Sequence, residues 1–554
     1  MKSLIRSIVV FLPVFLLLYP YKADCQLKVA GEPASSTFNI PREVEGMIHV
    51  PQPDLSDTFR EDEKFPSPYR FGIVLPVNIS PENSGSWSEL TDGSEIWRAT
   101  VSVPGALALS AYFDKFHIPE GGRLFIYNPD KSRIIGAFTS LNNSKSGLFS
   151  TELIPGSEMT LEYVKPSGSV LFPVMHLNEV TYAYRGVEFL YRDGDSPEMA
   201  GKCEVNVNCP EGNNWQSQKK GITRIHIKRA GGTYWCTGSL MNNTNLDNLP
   251  YILTANHCGY NSTETELNQW VFYFDFESSE CTTAVYPVIK AVVGAKLKAH
   301  SGEQQATGSD FYLVRLNEEL PDTFHVFYNG WSRGEDNPSS SGVCIHHPGG
   351  DLKKISTYKT TMESISWMGG SGLTHWSVVW AQTLSGHGVT EPGSSGSPLF
   401  DDKGRIVGSL SSGESSCDSN SLNLPDYYGK FSWAWTSDGS DSTRRLQVWL
   451  DPGATNLSYL DGRYTNSLDT IIPFVQAIFP NPFKDVITVT LKDIRNSLVL
   501  MNVFDIPGRL MYTDSYQVNE NGSFNVDLGF LPKGMYILRL ESQETAISRK
   551  IVRQ

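Results

Sequence analysis

Seven of the chain's eight cysteines fall in one stretch: Cys203, Cys209, Cys236, Cys258, Cys281, Cys344 and Cys417. Cross-linking confined to a single segment marks a domain built differently from its neighbours, and it requires an oxidising compartment. None of the seven sits in a Cys-x-x-Cys pair with histidine spacing, so zinc is a poor account of them. The N-terminus agrees with export. Lys2 and Arg6 precede the apolar run SIVVFLPVFLLLY, and the polar KADCQL follows. This reads as a signal peptide over 1–25, cleaved near Cys25 or Gln26. The run is short for a membrane span and contains Pro13. KADC also lacks the small apolar residues that precede a lipidated cysteine.

The formal charge of −14 carries no basic face and excludes a nucleic-acid binder. Hydrophobic residues at 40% are enough for real cores, so wholesale disorder is excluded as well.

Short alternating apolar segments dominate the chain, and long helical periodicity is absent, so the fold class is mainly β. Residues 26–65 are rich in Pro, Ser and acidic residues and read as extended. RFGIVLPVNI, EIWRATVSV, GRLFIYNP and GSEMTLEYV then form an antiparallel β domain ending near residue 190. RDGDSPEMAGK, 192–202, is an exposed linker. The cysteine-containing region, 201–463, is again β, with one short helical turn around RRLQVWLD. A linker at 464–474 leads to a final run of short strands, 475–554, consistent with a small β-sandwich.

Three local signals lie in order within the cysteine-containing region. In YILTANHCGY, His257 follows an apolar strand. In GSDFYLVRL, Asp310 opens another. VTEPGSSGSPLF places three serines among glycines. Each is weak alone, and a Gly/Ser cluster is usually only a loop. Together they give His, Asp, Ser, one of the known chain orders of a catalytic triad. The residue types fit that chemistry. A serine hydroxyl needs an imidazole to take its proton, and a buried carboxylate must hold that imidazole in one tautomer.

On these motifs the region resembles the trypsin-like, chymotrypsin-fold serine proteases, a double antiparallel β-barrel. Their Gly-x-Ser-Gly frame falls on Gly393-Ser394-Ser395-Gly396, which implies His257, Asp310 and Ser395 as catalytic residues. The backbone N–H groups of Gly393 and Ser395 would form the oxyanion hole. CEVNVNCPEG, CTGSLMNNT, GVTEPGSSGSPLFD, GRIVGSLSSGESSC, DYYGKF and WLDPGA narrow the resemblance to the bacterial lysyl endopeptidases. That family implies disulfides Cys203–Cys417, Cys209–Cys281 and Cys236–Cys258, with Cys344 left over and buried. It also implies that Asp426 forms the base of a pocket for a cationic side chain. Hydrolysis after Lys, and after Arg as a second choice, is the expected activity. The family's histidine after VGSL, which stacks on a tryptophan, is replaced here by Ser411 and Ser412. That aromatic pair cannot form in its usual way, and Trp367, Trp376 and Trp380 are the available tryptophans. The rival reading is a catalytically silent trypsin-like module that binds host or envelope proteins.

FPNPFKD, VFDIPGRLMY, LPKGMYILRL and SRKIVRQ resemble the C-terminal sorting domain of type IX secretion. The type IX machinery is then a partner, beside protein and peptide substrates. The protein would be secreted or held at the surface of a Gram-negative bacterium, after export through the periplasm. By position, 26–200 is a propeptide, a folding template or a plug over the cleft, with Arg192 and Lys202 as maturation sites. FDKFHIPEGGRLFIYNPD resembles the β-rich pro-regions of such proteases. No cofactor and no metal is indicated, and a monomer is expected.

Overall fold

The computed structural model describes residues 31–554 apart from 39, 41–45, 192–198, 283–288, 303–307, 337, 371, 437–440, 466–474, 492–497, 506–508, 520 and 542–545. The expected signal peptide and Arg192 lie outside the described residues. The chain is mainly β, as its alternating segments require. No helix among the described residues is long and apolar enough to cross a membrane.

The N-terminal region stacks two sheets over one apolar core. One sheet carries Glu95–Ser102, Glu158–Lys165, Arg123–Tyr127 and Ile134–Phe138, and the other carries Ala108–His117, Val174–Ala183 and Tyr69–Ile79. Alternate residues of these strands, including Trp97, Val101, Leu109, Phe113, Leu161 and Val180, face inward and are almost fully buried. The second sheet does not end at the edge of this region. Tyr69–Ile79 pairs antiparallel with Gly232–Met241, so the sheet runs on into the cysteine-containing region. Phe71 stacks on Trp235 with ring centroids 4.3 Å apart, and Tyr112 Oη lies 2.9 Å from His226 Nε2.

One expectation fails here. Residues 26–65 are not extended throughout, because Ser56–Lys64 forms a nine-residue helix. Asp57 stands in its first turn and Lys64 in its last, each complementing the helix dipole. Asp62 fastens the helix to the adjoining strand by accepting from Arg70 Nε at 2.7 Å.

The cysteine-containing region holds two antiparallel sheet systems, the two halves of the expected double barrel. The first contains Ile222–Arg229, Gly232–Met241, Tyr251–Ala255, Val271–Phe274, Ala295–His300 and Phe311–Leu316. The second contains Gly342–His346, Lys354–Tyr358, Pro398–Phe400, Ile406–Gly413, Asp426–Lys430 and His375–Val378. A cluster that includes Leu253, Phe311, Leu313, Ile345 and Phe400 packs the two systems against each other. Disulfides join Cys203 to Cys417, Cys209 to Cys281 and Cys236 to Cys258, the pairing the resemblance implies. Each closes a loop and stabilises by about 2–4 kcal/mol. Cys344 is buried and free, and burial pushes its thiol up to about 12.

The C-terminal region is a sandwich of a three-stranded and a four-stranded sheet. Its core, with Ile487, Val489, Met501, Val503, Phe524 and Leu538, is its own.

Candidate active site

The strand pair Tyr251–Ala255 and Phe311–Leu316 sets Ala255 opposite Phe311, so His257 and Asp310 emerge side by side just beyond the paired ends. Asn256 N–H donates to the Asp310 carbonyl at 2.7 Å and fixes the junction. Asp310 adopts φ 53°, a left-handed conformation uncommon for a non-glycine residue and often found at functional sites. That turn aims both carboxylate oxygens at one residue: Oδ1 accepts from His257 N–H at 2.9 Å, and Oδ2 lies 2.7 Å from His257 Nδ1. A carboxylate at Nδ1 holds the proton there and leaves Nε2 as the bare, accepting nitrogen. Both side chains are buried. The Cys236–Cys258 bridge ties the His257 turn to Gly232–Met241.

Ser395 comes from the second sheet system. Its turn is clamped from the first: Thr237 N–H donates to the Ser395 carbonyl at 2.8 Å, and Thr237 Oγ1 donates to the Gly393 carbonyl at 3.0 Å. Gly349 N–H holds the Pro392 carbonyl at 2.7 Å. Gly393 has φ 102°, and a Cβ there would come within 2.9 Å of the Gly349 and Gly350 nitrogens, so only glycine fits. Among the described residues, the N–H groups of Gly393 and Ser395 take no part in the hydrogen bonds of the turn.

The Ser395 hydroxyl does not meet His257. His257 Nε2 is buried without a partner, and Ser395 Oγ instead lies 2.9 Å from Ser67 Oγ. Ser67 precedes the strand that extends the sheet of the cysteine-containing region, and its segment passes over the site. A cavity of about 330 Å³ is lined by residues of both regions, among them Glu61, Phe65, Ser67, Tyr234 and His257. The sequence carries no local signal for this contact, since its partners are 328 positions apart.

Asp426 is fully buried on the strand Asp426–Lys430. Its carboxylate accepts from Trp380 Nε1 at 2.6 Å, Thr390 Oγ1 at 2.7 Å, and Ser415 Oγ and N–H at 2.7 and 3.0 Å. Burial raises its pKa, while these donors pull it back down. Gly413 stands opposite, where a Cβ would come within 2.4 Å of Oδ1. Ser411 and Ser412 lie on the neighbouring strand at an irregularity in the register, and Ser412 pairs with Tyr427.

The sequence left the tryptophan undecided. Trp380 serves Asp426, and Trp376 lies under the Lys430 ammonium. Trp367 packs on His375 with centroids 5.0 Å apart and on Tyr427 at 4.9 Å. His375 Nε2 lies 3.0 Å from Ser411 Oγ. An imidazole–indole contact is therefore built here after all, with the imidazole supplied by another strand. Sequence reading missed His375 because only strand pairing brings it beside Ser411. Among the described residues no cluster could hold a metal ion.

Residues 197–429 match the family model described as "Lysyl endopeptidase, C-terminal domain". Residues 477–554 match "Secretion system C-terminal sorting domain". The lysyl endopeptidase of Pseudomonas aeruginosa is 25% identical over 416 residues, covering 70% of this chain and 85% of that protein. A solved kallikrein-related peptidase 10, in complex with Zn2+, aligns with 40% of this chain and 92% of its own at 15% identity, with a TM-score of 0.27. That overlap is too slight to add to the sequence matches. The matches make 197–429 similar to the C-terminal domain of lysyl endopeptidases and support a serine protease, within a chain that ends in a secretion sorting domain. The sorting domain marks a secreted or cell-surface protein.

Proposed function

We propose that the mature protein is a serine endopeptidase that hydrolyses peptide bonds after Lys, and after Arg as a second choice. The observation that carries this reading is the His257–Asp310 pair beside the clamped Ser395 turn. In the reaction Ser395 Oγ attacks the scissile carbonyl carbon as His257 Nε2 takes the hydroxyl proton. The carbonyl oxygen becomes an oxyanion held by the N–H groups of Gly393 and Ser395, each such donor contributing roughly 10²–10³ in rate. Collapse expels the amine, which receives the proton from His257. Water then cleaves the acyl-enzyme by the same steps and restores the Ser395 hydroxyl. A substrate ammonium entering the pocket would complete a charge pair with buried Asp426, which otherwise has only neutral donors.

The boundaries follow from the same reading. Residues 1–25 are removed on export to the periplasm, 26–200 form the pro-region, 201–463 the protease and 475–554 the sorting domain that engages the type IX machinery. The full chain is a zymogen, because Ser67 takes the hydroxyl that His257 needs. Cutting at exposed Lys202 would leave Cys203 at the new N-terminus, tethered by its disulfide. It would also release Gly201, whose N–H is bound to Glu391 Oε2 in the nucleophile turn.

The test is a cleavage profile of the matured protein on a peptide library, alongside Ser395→Ala and Asp426→Asn. Cutting after Lys should vanish in the first and lose its basic preference in the second. A matured wild type that cuts nothing and takes no fluorophosphonate on Ser395 would favour the silent binding module.

A further inference from the structure

His346 lies at the end of the strand Gly342–His346 and is fully buried, and the chemistry above does not use it. Its hydrogen bonds can be oriented one after another. Ser356 Oγ donates to the Val389 carbonyl at 2.7 Å, so toward His346 it can only accept. His346 Nε2, 3.1 Å away, therefore carries the ring proton. Nδ1 is then bare and accepts from Ser394 Oγ–H at 2.7 Å. Ser394 Oγ is left to accept Glu391 N–H at 3.3 Å. One neutral imidazole thus holds both ends of the segment Val389–Ser394, one directly and one through Ser356.

The surroundings keep it neutral. Burial and the nearby Lys354 charge lower its pKa to about 3. Glu204 Oε2 lies 3.6 Å from Nε2, but burial raises that carboxyl well above its ordinary range, so the two do not form an ion pair.

We propose that His346 is a positioning residue for the oxyanion hole, acting through the side chain of Ser394. The reason is the planarity of the peptide group: the N–H of Ser395 belongs to the peptide joining it to Ser394, so fixing Ser394 fixes the direction of that donor. Thr237 and Gly349 hold the carbonyls of residues 392, 393 and 395; Ser394 N–H donates to the Glu391 carbonyl and the Ser394 carbonyl accepts Ser397 N–H, both at 2.9 Å, and His346 holds the Ser394 side chain. Loss of this bond leaves the 394–395 peptide restrained by backbone hydrogen bonds alone, so that it tilts from the position an oxyanion needs, with substrate binding in the Asp426 pocket untouched. The inference rests on Ser395 being the nucleophile.

The experiment uses the full chain, allowed to mature, with steady-state kinetics on one lysyl peptide. His346→Leu and Ser394→Ala should each lower kcat by about 10- to 100-fold, the usual effect of removing an orienting partner, with KM nearly unchanged. The double variant should be no slower than the slower single one. His346→Asn, which keeps an acceptor near Nδ1, should recover most of the rate. Additive losses in the double variant, a matching change in KM, or no rescue by Asn would overturn the proposal. If His346→Leu does not fold, Ser394→Ala alone decides, and wild-type kcat there would overturn it. Failure of the underlying reading looks different: wild type itself would neither cleave nor be labelled at Ser395.

Discussion

The protease region meets its two neighbours in opposite ways. On its N-terminal side the partner strand Tyr69–Ile79 is part of the same sheet as Gly232–Met241, and side chains cross the junction throughout. Trp235 Nε1 donates to the Gly186 carbonyl at 2.9 Å, Ser150 Oγ donates to the Gln269 carbonyl at 2.9 Å, and Lys228 bonds Gln269 and Glu179. On its C-terminal side the sandwich has two sheets of its own, and among the described residues no strand of it pairs with the protease region. A shared sheet makes the folding of each part depend on the other, while a separate core makes a module. Under the proposed function, this is the division of labour between a pro-region and a sorting tag.

The strongest way to break this contrast is deletion. Without residues 26–190, the edge of Gly232–Met241 and the face of Trp235 lose their cover, and refolding to active protease should largely fail. Pro-region added in trans should restore it. Without residues 475–554, folding and cleavage should persist while delivery to the medium stops. Refolding yield and activity of the culture fluid check both arms.

Single core residues sharpen the same comparison. Phe71→Ala should weaken the hold of the pro-region on the protease by about 3–5 kcal/mol, seen as faster release after cleavage. Phe524→Ala should lower the melting of the sorting domain and leave release and activity unchanged. Equal effects of both on release would contradict the modular reading.

Asp426→Asn tests the pocket in isolation from either neighbour. Removing one partner of a buried pair costs about 3–5 kcal/mol, so kcat/KM for a lysyl peptide should fall by roughly 10²–10⁴. Because burial raises the Asp426 pKa, the free pocket is partly protonated at acidic pH. KM in the wild type should therefore fall as pH rises through that range and level off once the carboxylate is ionised, with a flat profile in the Asn variant.

The smallest expected effect is at His226, which Tyr112 and Phe71 of the pro-region cover. Burial, with Arg224 and Lys228 adding to it, lowers its pKa to about 3. The bound form thus resists protonation. A histidine uncovered on release loses the burial cost and moves back up toward the free value of about 6.5, held below it by Arg224 and Lys228 on its own strand. Binding is unpenalised above that value and weakens as pH falls below it, so release of the cleaved pro-region should quicken between about pH 6.5 and 4. A His226→Gln variant with the same acid response would rule this out.

Much of the site was legible because its chemistry is written locally. His257 and Ser395 sit in short motifs whose neighbours, Cys258, Gly393 and Gly396, carry their own conformational reasons. Asp310 was weak alone and gained meaning only from chain order. The helix Ser56–Lys64 was missed because a polar, acidic stretch lacks apolar periodicity, and its anchor is a side-chain pair with Arg70 on the adjoining strand. Ser67, His375 and His346 carry no motif at all. Ser67 matters because its segment crosses the site, His375 because it reaches Ser411 across the intervening strand Asp426–Lys430, and His346 because two strands and a turn converge on one imidazole.

By itself, then, the sequence determined the mainly β class, the order of the chemical groups and the exported, cross-linked character of the central region. These depend on alternation, composition and residues a few positions apart. Only the tertiary structure decided which hydroxyl holds Ser395, which indole faces which imidazole, and how the N-terminal region is joined to the cysteine-containing region. The Ser67–Ser395 contact and the joined sheet bring together segments distant along the chain, and Trp367 meets His375 from a loop without a pattern of its own; strand pairing places such segments through backbone hydrogen bonds that every residue type can make.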